Sequence, residues 1–276
     1  MFAFNILKII KLLVKINVSI LILMISFDAF AHKINCFKVF KYALFSYGYF
    51  YMPATNTGID VDIINELKKR SKCRIEFDSS MPRIRALKSL ENGTLDFSMS
   101  SFQTPEREKF AYYALYDHVK NYVLVKKELK VNSWENFIAN KTLYFGVVRG
   151  YNYGLSEEYL QQARNLKRVK EYPDQERLFE GFKKLEVHAI FSILPVYKYH
   201  LQMHKELDSL ITVSDWNQKE KYTKSGLMMS KKVFSKEEAD KWSALMKEML
   251  SDGTIMKIFR KYLNEKDAKS IYLNEN

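Results

Sequence analysis

Between Cys36 and Met99 the hydrophobic pattern of the chain changes period four times, and no other feature limits its fold as strongly. The apolar run Phe37 to Phe45 reads as a strand. From Gly58 the residues Ile59, Ile63, Ile64 and Leu67 recur at helical spacing, and Asp60 and Asp62 fall in the positively polarised first turn. Cys73 to Phe77 reads as a second strand, Arg83 to Glu91 as a helix that Asn92-Gly93 stops, and Leu95 to Met99 as a third strand. Parallel neighbours need a crossover of a dozen or more residues, and each helix here supplies one. The pattern therefore predicts an α/β layer built on a parallel sheet.

A second alternation follows. Val119 to Lys126 reads as a strand, and Ser133 caps a helix over Trp134 to Asn140. Strands are expected at 142–148, 169–172, 187–193 and 227–229, with helices at 154–164, 174–184, 194–204, 236–250 and 254–263. No Gly- or Ser-rich linker separates the halves. A chain that crosses near Val119 to Lys126 and returns near Tyr222 to Met229 makes two lobes with a cleft between them. The expected divisions are 32–121 for the first part of lobe 1, 122–224 for lobe 2 and 225–276 for the return to lobe 1.

Residues 1–31 stand apart from this pattern. Lys8, Lys11 and Lys15 precede the apolar stretch Val18 to Phe27, and Ala29-Phe30-Ala31 gives an A-x-A site. This is the layout of a secretory signal peptide, with a retained N-terminal anchor as the alternative. The mature protein is expected to begin at His32 and to be exported to the periplasm. Without residues 1–31, which hold three Lys and one Asp, the formal charge falls from +12 to +10. The basic residues are scattered beside acidic ones on helices, which predicts a solvated surface and no nucleic-acid partner. Cys36 and Cys73 are the only cysteines. A parallel strand-helix-strand unit levels their strand starts and brings the two Cα atoms toward the roughly 4.4–6.8 Å that a disulfide requires. An oxidising compartment would close the bond; two buried free thiols are the alternative.

The residues that carry metal or covalent chemistry are missing from the pattern. His32, His118, His188, His200 and His204 form no H-E-x-x-H, and His200 and His204 have no third ligand beside them in sequence. There is no G-x-S-x-G, phosphate loop or dinucleotide fingerprint. No cofactor and no metal are expected, and nothing in these patterns makes a case for catalysis.

Arg107 is the exception to this blandness. It follows the third strand, in Thr104-Pro105-Glu106-Arg107, where Pro105 starts a helix. The carboxyl ends of parallel strands border the crevice in which open α/β sheets bind ligands. A guanidinium there can grip a carboxylate with two parallel N–H bonds, and Ser100, Ser101 and Thr104 supply hydroxyls beside it.

Five segments, "GIDVDIINELKKRSKCRIEF", "RALKSLENGTLDFSMSS", "TPEREKFAYY", "YFGVVRGYNYG" and "SDGTIMKIFRKYL", in this order and spacing, resemble the bacterial extracellular solute-binding proteins of family 3. The resemblance covers essentially the whole chain after residue 31. It implies a two-lobed type II periplasmic-binding fold, with two mixed sheets flanked by helices, that closes on its solute by hinge motion. Carried over by position, Arg107 matches the arginine that pairs with the ligand's α-carboxylate, assisted by Ser100, Ser101 and Thr104. Tyr47 matches the aromatic that stacks on the ligand, with a core or rim aromatic as the alternative. Gly150, Tyr151 and Asn152 match the second-lobe turn that meets the same carboxylate. Arg149 lies beside them, facing either the cleft or solvent.

Two positions depart from the family. Where its amino-acid receptors place acids that hold the α-ammonium, this chain has Leu44 and Ile193. A buried ammonium without a counter-charge is unfavourable by several kcal/mol. Either another acid (Asp78, Asp117 or Asp174) takes that role or the ligand is not an ordinary α-amino acid. The expected function is capture of a small carboxylate-bearing solute, an amino acid or related acid, by a monomer that delivers it to an inner-membrane ABC permease. A dehydratase-like enzyme or an orphan sensory receptor on the same fold are the alternatives.

Overall fold

The computed structural model describes residues 34–219 and 222–274; the expected leader and His32 lie outside them. Two five-stranded mixed sheets form the two halves of the molecule. In the first, β1 (Phe40–Leu44), β2 (Ile75–Ser80) and β3 (Phe97–Phe102) run parallel, joined by helices α1 (Ile59–Ser71) and α2 (Arg83–Asn92). Strand β4 (Ala111–Val119) leads directly into β5 (Asn121–Lys126), the first strand of the second sheet. That sheet repeats the parallel arrangement with β6 (Phe145–Val148), β7 (Val169–Tyr172) and β8 (Ala189–Ile193). Between them lie α4 (Trp134–Ala139), α5 (Glu157–Asn165) and α6 (Gln175–Lys183). After α7 (Leu194–Met203), α8 (Lys205–Leu210) and β9 (Ile211–Ser214), the chain returns to the first sheet as β10 (Thr223–Ser230), antiparallel to both β3 and β4. The strand orders are β2-β1-β3-β10-β4 and β7-β6-β8-β5-β9.

Local chemistry explains most element ends. α1 carries Asp60 and Asp62 in its first turn and Lys68, Lys69 and Arg70 in its last, complementing its dipole at both ends. Gly93 ends α2 in the left-handed region at φ 79°, where its missing Cβ avoids a steric cost. Helix α9 (Lys236–Ser251) opens with a full capping box between Ser235 and Glu238. It lays Trp242 on the first sheet against Phe40 and Phe97, with ring centroids 5.7 and 5.1 Å apart. The second sheet has its own aromatic core of Trp134, Phe137, Phe145 and Phe191. Cys36 and Cys73 are joined by a disulfide with a Cα–Cα distance of 5.2 Å.

The chain departs from the sequence pattern in three places. The strand read over Val119 to Lys126 is two strands in two sheets, with only Lys120 between them. β4 is an edge strand with half-buried Tyr112 and Tyr113, buried Tyr116 and Asp117, and His118 in it, so it shows no clean apolar alternation. The short α8 and β9 fall in a charged segment, and α11 (Glu265–Ile271) follows α10 (Thr254–Phe259) where two closing helices were expected.

Candidate functional site

The carboxyl end of β3 is bent by its own sequence. Ser100 takes a left-handed backbone conformation, φ 46°, which is unfavourable for a residue with a Cβ. Its geometry is held from behind: Ser100 Oγ donates to the Asp60 carboxylate at 2.8–2.9 Å, and the Ser100 N–H donates to the Tyr116 hydroxyl at 2.9 Å. Tyr116 in turn donates to Asp60 at 2.8 Å. Burial lifts the Asp60 carboxyl to about 7, partly offset by the Tyr116 and Ser100 hydroxyls.

Just beyond this bend, Thr104 caps the one-turn helix α3 (Pro105–Glu108) by accepting the Arg107 N–H at 3.3 Å. The cap turns Arg107 inward, where it is only 8% exposed. Its guanidinium donates to the Phe102 carbonyl at 3.2 Å and to the Gly150 carbonyl of the other lobe at 3.5 Å. Desolvation, together with the nearby Arg83 cation, pulls the Arg107 guanidinium down to about 10.

Arg83 was not found from the sequence. It opens α2 and is 4% exposed. It donates to Ser101 Oγ at 2.8 Å, Ser98 Oγ at 3.1 Å and the Met99 carbonyl at 3.3 Å, and lies 4.7 Å from the centre of the Phe45 ring. A signal for it did exist. Helix α2 has no acidic residue in its first turn and a cation at its first position, against the direction of its dipole. A residue so placed is held there by something other than helix stability.

These side chains line a narrow cavity with Phe45, Tyr47, Arg83, Ser100, Phe102, Arg107, Tyr151 and Asn152 on its walls. Phe45, Tyr47 and Tyr151 pack against each other with centroids 5.4–6.0 Å apart. A second, adjoining cavity of about 200 Å³, called outer below, shares Phe45, Arg83 and Tyr151 and adds Asp174 and Glu176. Asp174 caps α6 by accepting the Arg177 N–H at 2.8 Å, and Glu176 accepts from Ser46 across the cleft.

Of the residues singled out in the sequence, Tyr47, Ser100, Arg107, Tyr151 and Asn152 line the inner cavity. Ser101 and Thr104 stand behind it, one holding Arg83 and the other Arg107. Gly150 contributes its carbonyl to Arg107 and packs so closely on Ile84 that an added Cβ would lie 3.0 Å from it. Arg149 lies outside, its side chain 60% exposed and 3.7 Å from Glu171. Leu44 and Ile193 are buried in the apolar core at the ends of β1 and β8. Asp78 faces Lys41 at 3.7 Å, and Asp117 is fully buried against Ser225. Among the described residues no cluster of His, Cys, Asp and Glu has the arrangement of a metal site, and no helix is long and apolar enough to cross a membrane.

No curated protein matches the sequence. Solved structures do. The substrate-binding protein of an amino acid ABC transporter aligns with a TM-score of 0.67 at 20% identity, covering 83% of this chain and 100% of that one. The arginine-, lysine-, histidine-binding protein ArtJ of Geobacillus stearothermophilus gives 0.70 at 16% identity, covering 83% and 96%. The ancestral amino acid-binding protein AncCDT-1, a precursor of cyclohexadienyl dehydratase, gives 0.63 at 21%, covering 81% and 94%. At these identities the likeness establishes the two-lobed fold. The sequence pattern of the bacterial extracellular solute-binding proteins, family 3, matches residues 42–265, and the chain belongs to that family.

Proposed function

We propose that this protein is a periplasmic receptor that captures a small carboxylate-bearing solute in the cleft and delivers it to an ABC-type permease. The observation that carries this reading is Arg107: a guanidinium turned into the interlobe cavity, with a carbonyl from each lobe as its only hydrogen-bond acceptors among the described residues. A carboxylate there would accept charge-assisted N–H bonds that carbonyls match poorly. Lobe 1 supplies Arg107, Ser100 and Tyr47, and lobe 2 supplies Tyr151 and Asn152, so the solute's polar partners are complete only when the lobes close. The proposed hinge is the pair of crossings at Lys120 and beside Asp215, which the two side chains tie together at 2.6 Å. The export leader over residues 1–31 belongs to the same proposal. So does the absence of catalysis: the inner cavity wall has no carboxyl, imidazole or thiol to act as an acid, base or nucleophile.

The test is a thermal-shift and calorimetric screen of the protein purified from periplasmic extract, against amino acids, their deaminated acids and small peptides. At a ligand concentration about 100 times Kd, binding adds ~2.7 kcal/mol and raises the midpoint. A shift that Arg107→Ala abolishes supports the reading. A ligand bound equally by both proteins refutes the role of Arg107, and turnover of a bound acid refutes the receptor in favour of an enzyme.

A further inference from the structure

The cleft holds two buried guanidiniums and no carboxylate on its inner wall. Arg83 and Arg107 line the same cavity, and neither forms an ion pair among the described residues. Their hydrogen-bond acceptors are two hydroxyls and three carbonyls, all neutral. Glu106, beside Arg107 in sequence, is exposed and lies off this wall, and Asp60, close enough to Arg83 for their charges to interact, spends its hydrogen bonds on Ser100 and Tyr116. Asp174 and Glu176 lie on the outer cavity only. Arg83 also sits at the positive end of α2, a ten-residue helix with no acid in its first turn, so the helix adds to the uncompensated charge.

Buried charge of one sign is unfavourable unless an opposite charge enters with it. A zwitterionic amino acid brings one carboxylate and an ammonium, and that ammonium would lie among two cations. The aromatic walls do not shelter it. The Phe45 ring is already covered by Arg83, and Tyr47 is stacked on Phe50 at 5.4 Å with an interplanar angle of 22°. The Asn152 side-chain carbonyl is committed to the Gly154 N–H at 2.9 Å. Leu44 and Ile193 lie in the apolar core rather than on the cavity wall, so neither position brings a carboxylate there.

We infer that the cleft selects a compact dianion without an amino group, a small dicarboxylic acid, with one carboxylate on Arg107 and the other on Arg83. This rests on the reading of the cleft as a solute site and narrows it to a ligand class. Depressed guanidinium basicity agrees with the geometry: burial lowers both, and Arg83 lowers Arg107 further. A bound dianion would reverse that.

The experiment is isothermal titration calorimetry on the full-length gene product purified from periplasm, after unfolding and refolding to remove carried-over ligand. The probes are succinate, glutarate, the monocarboxylate butyrate, and glutamine. A dicarboxylate is expected to bind about 100-fold more tightly than butyrate or glutamine, the worth of one further charge-assisted pair. Arg83→Gln keeps donors for Ser98 and Ser101 but removes the charge, and should cut that preference to about tenfold or less. Arg83→Lys restores the charge and should recover part of it, which a merely structural role for Arg83 would not produce. Glutamine binding as tightly as glutarate, or a preference untouched by Arg83→Gln, overturns the dianion while leaving solute capture standing. Failure of every acid, mono- or dicarboxylic, overturns both.

Discussion

Replacing Asp117 by Asn should make the protein more stable at alkaline pH than at acid pH relative to the natural chain. Asp117 lies in β4 opposite Ser225 of β10 and is fully buried. One carboxyl oxygen accepts from Ser225 and the other has no hydrogen-bond partner. Burial lifts this carboxyl from 3.8 to about 7, and the Ser225 hydroxyl offsets only part of the rise. Between those two values the folded protein holds a proton that the unfolded chain releases, so stability falls as pH rises. Three units at ~1.36 kcal/mol each give about 4 kcal/mol in all, of which roughly 2.5 kcal/mol is lost between pH 5 and pH 8. Asn is the uncharged isostere and still accepts from Ser225, so this loss disappears in the variant. Urea unfolding of both proteins at pH 5, 6, 7 and 8 gives the comparison. The advantage of Asp117→Asn should grow by about 2.5 kcal/mol across that window, or some 5–10 °C in midpoint. Asp60, also held at about 7, is raised partly by Asp117, so removing that charge lowers its own slope in the variant and adds to the difference in the same direction. A difference constant with pH within about 0.5 kcal/mol would refute the argument.

The disulfide and the closure geometry give two further predictions. Cys36 and Cys73 are 37 residues apart, and a loop of that length loses about 3–4 kcal/mol of stabilisation when opened in the chain-entropy account. Urea midpoints of the Cys36→Ser/Cys73→Ser protein should fall accordingly and become insensitive to reductant; an unchanged midpoint would mean the bond contributes nothing. Gly48 has φ 57° and packs so tightly on the other lobe that an added Cβ would lie 2.6 Å from the Val196 Cα and 2.9 Å from the Pro195 carbonyl. Gly48→Ala should therefore oppose closure and weaken solute binding about tenfold or more, beyond the ~1 kcal/mol of local backbone strain. Small-angle scattering of the ligand-saturated variant should match the open natural protein, and a normal contraction would dismiss the contact as a closing surface.

The fold was legible because its signals are local. Ile59, Ile63, Ile64 and Leu67 recur with the helix period and are all fully buried, and the Asn92-Gly93 stop sits at the end of α2. β4 escaped because edge strands need not alternate: Tyr112 and Tyr113 are half-buried, and its buried Asp117 is held by Ser225, 108 residues away. The site divided along the same line. Thr104, Pro105 and Arg107 form a cap and a first turn within four residues, so the sequence points directly at the arginine of the proposed site. Arg83 has partners 15 to 18 residues away on β3 and a ring, Phe45, just past the end of β1; its place on α2 signals that something holds it but not which partners.

What the sequence determined by itself, then, is the alternation of elements, the family and one arginine, since each depends on spacing within a single turn or strand. Only the tertiary structure decided that a second arginine shares that arginine's cavity, and that no acid from elsewhere in the chain lines its wall. The sign and number of charges in a cleft are sums over residues from both lobes, and a buried charge is balanced by whatever lies beside it in space.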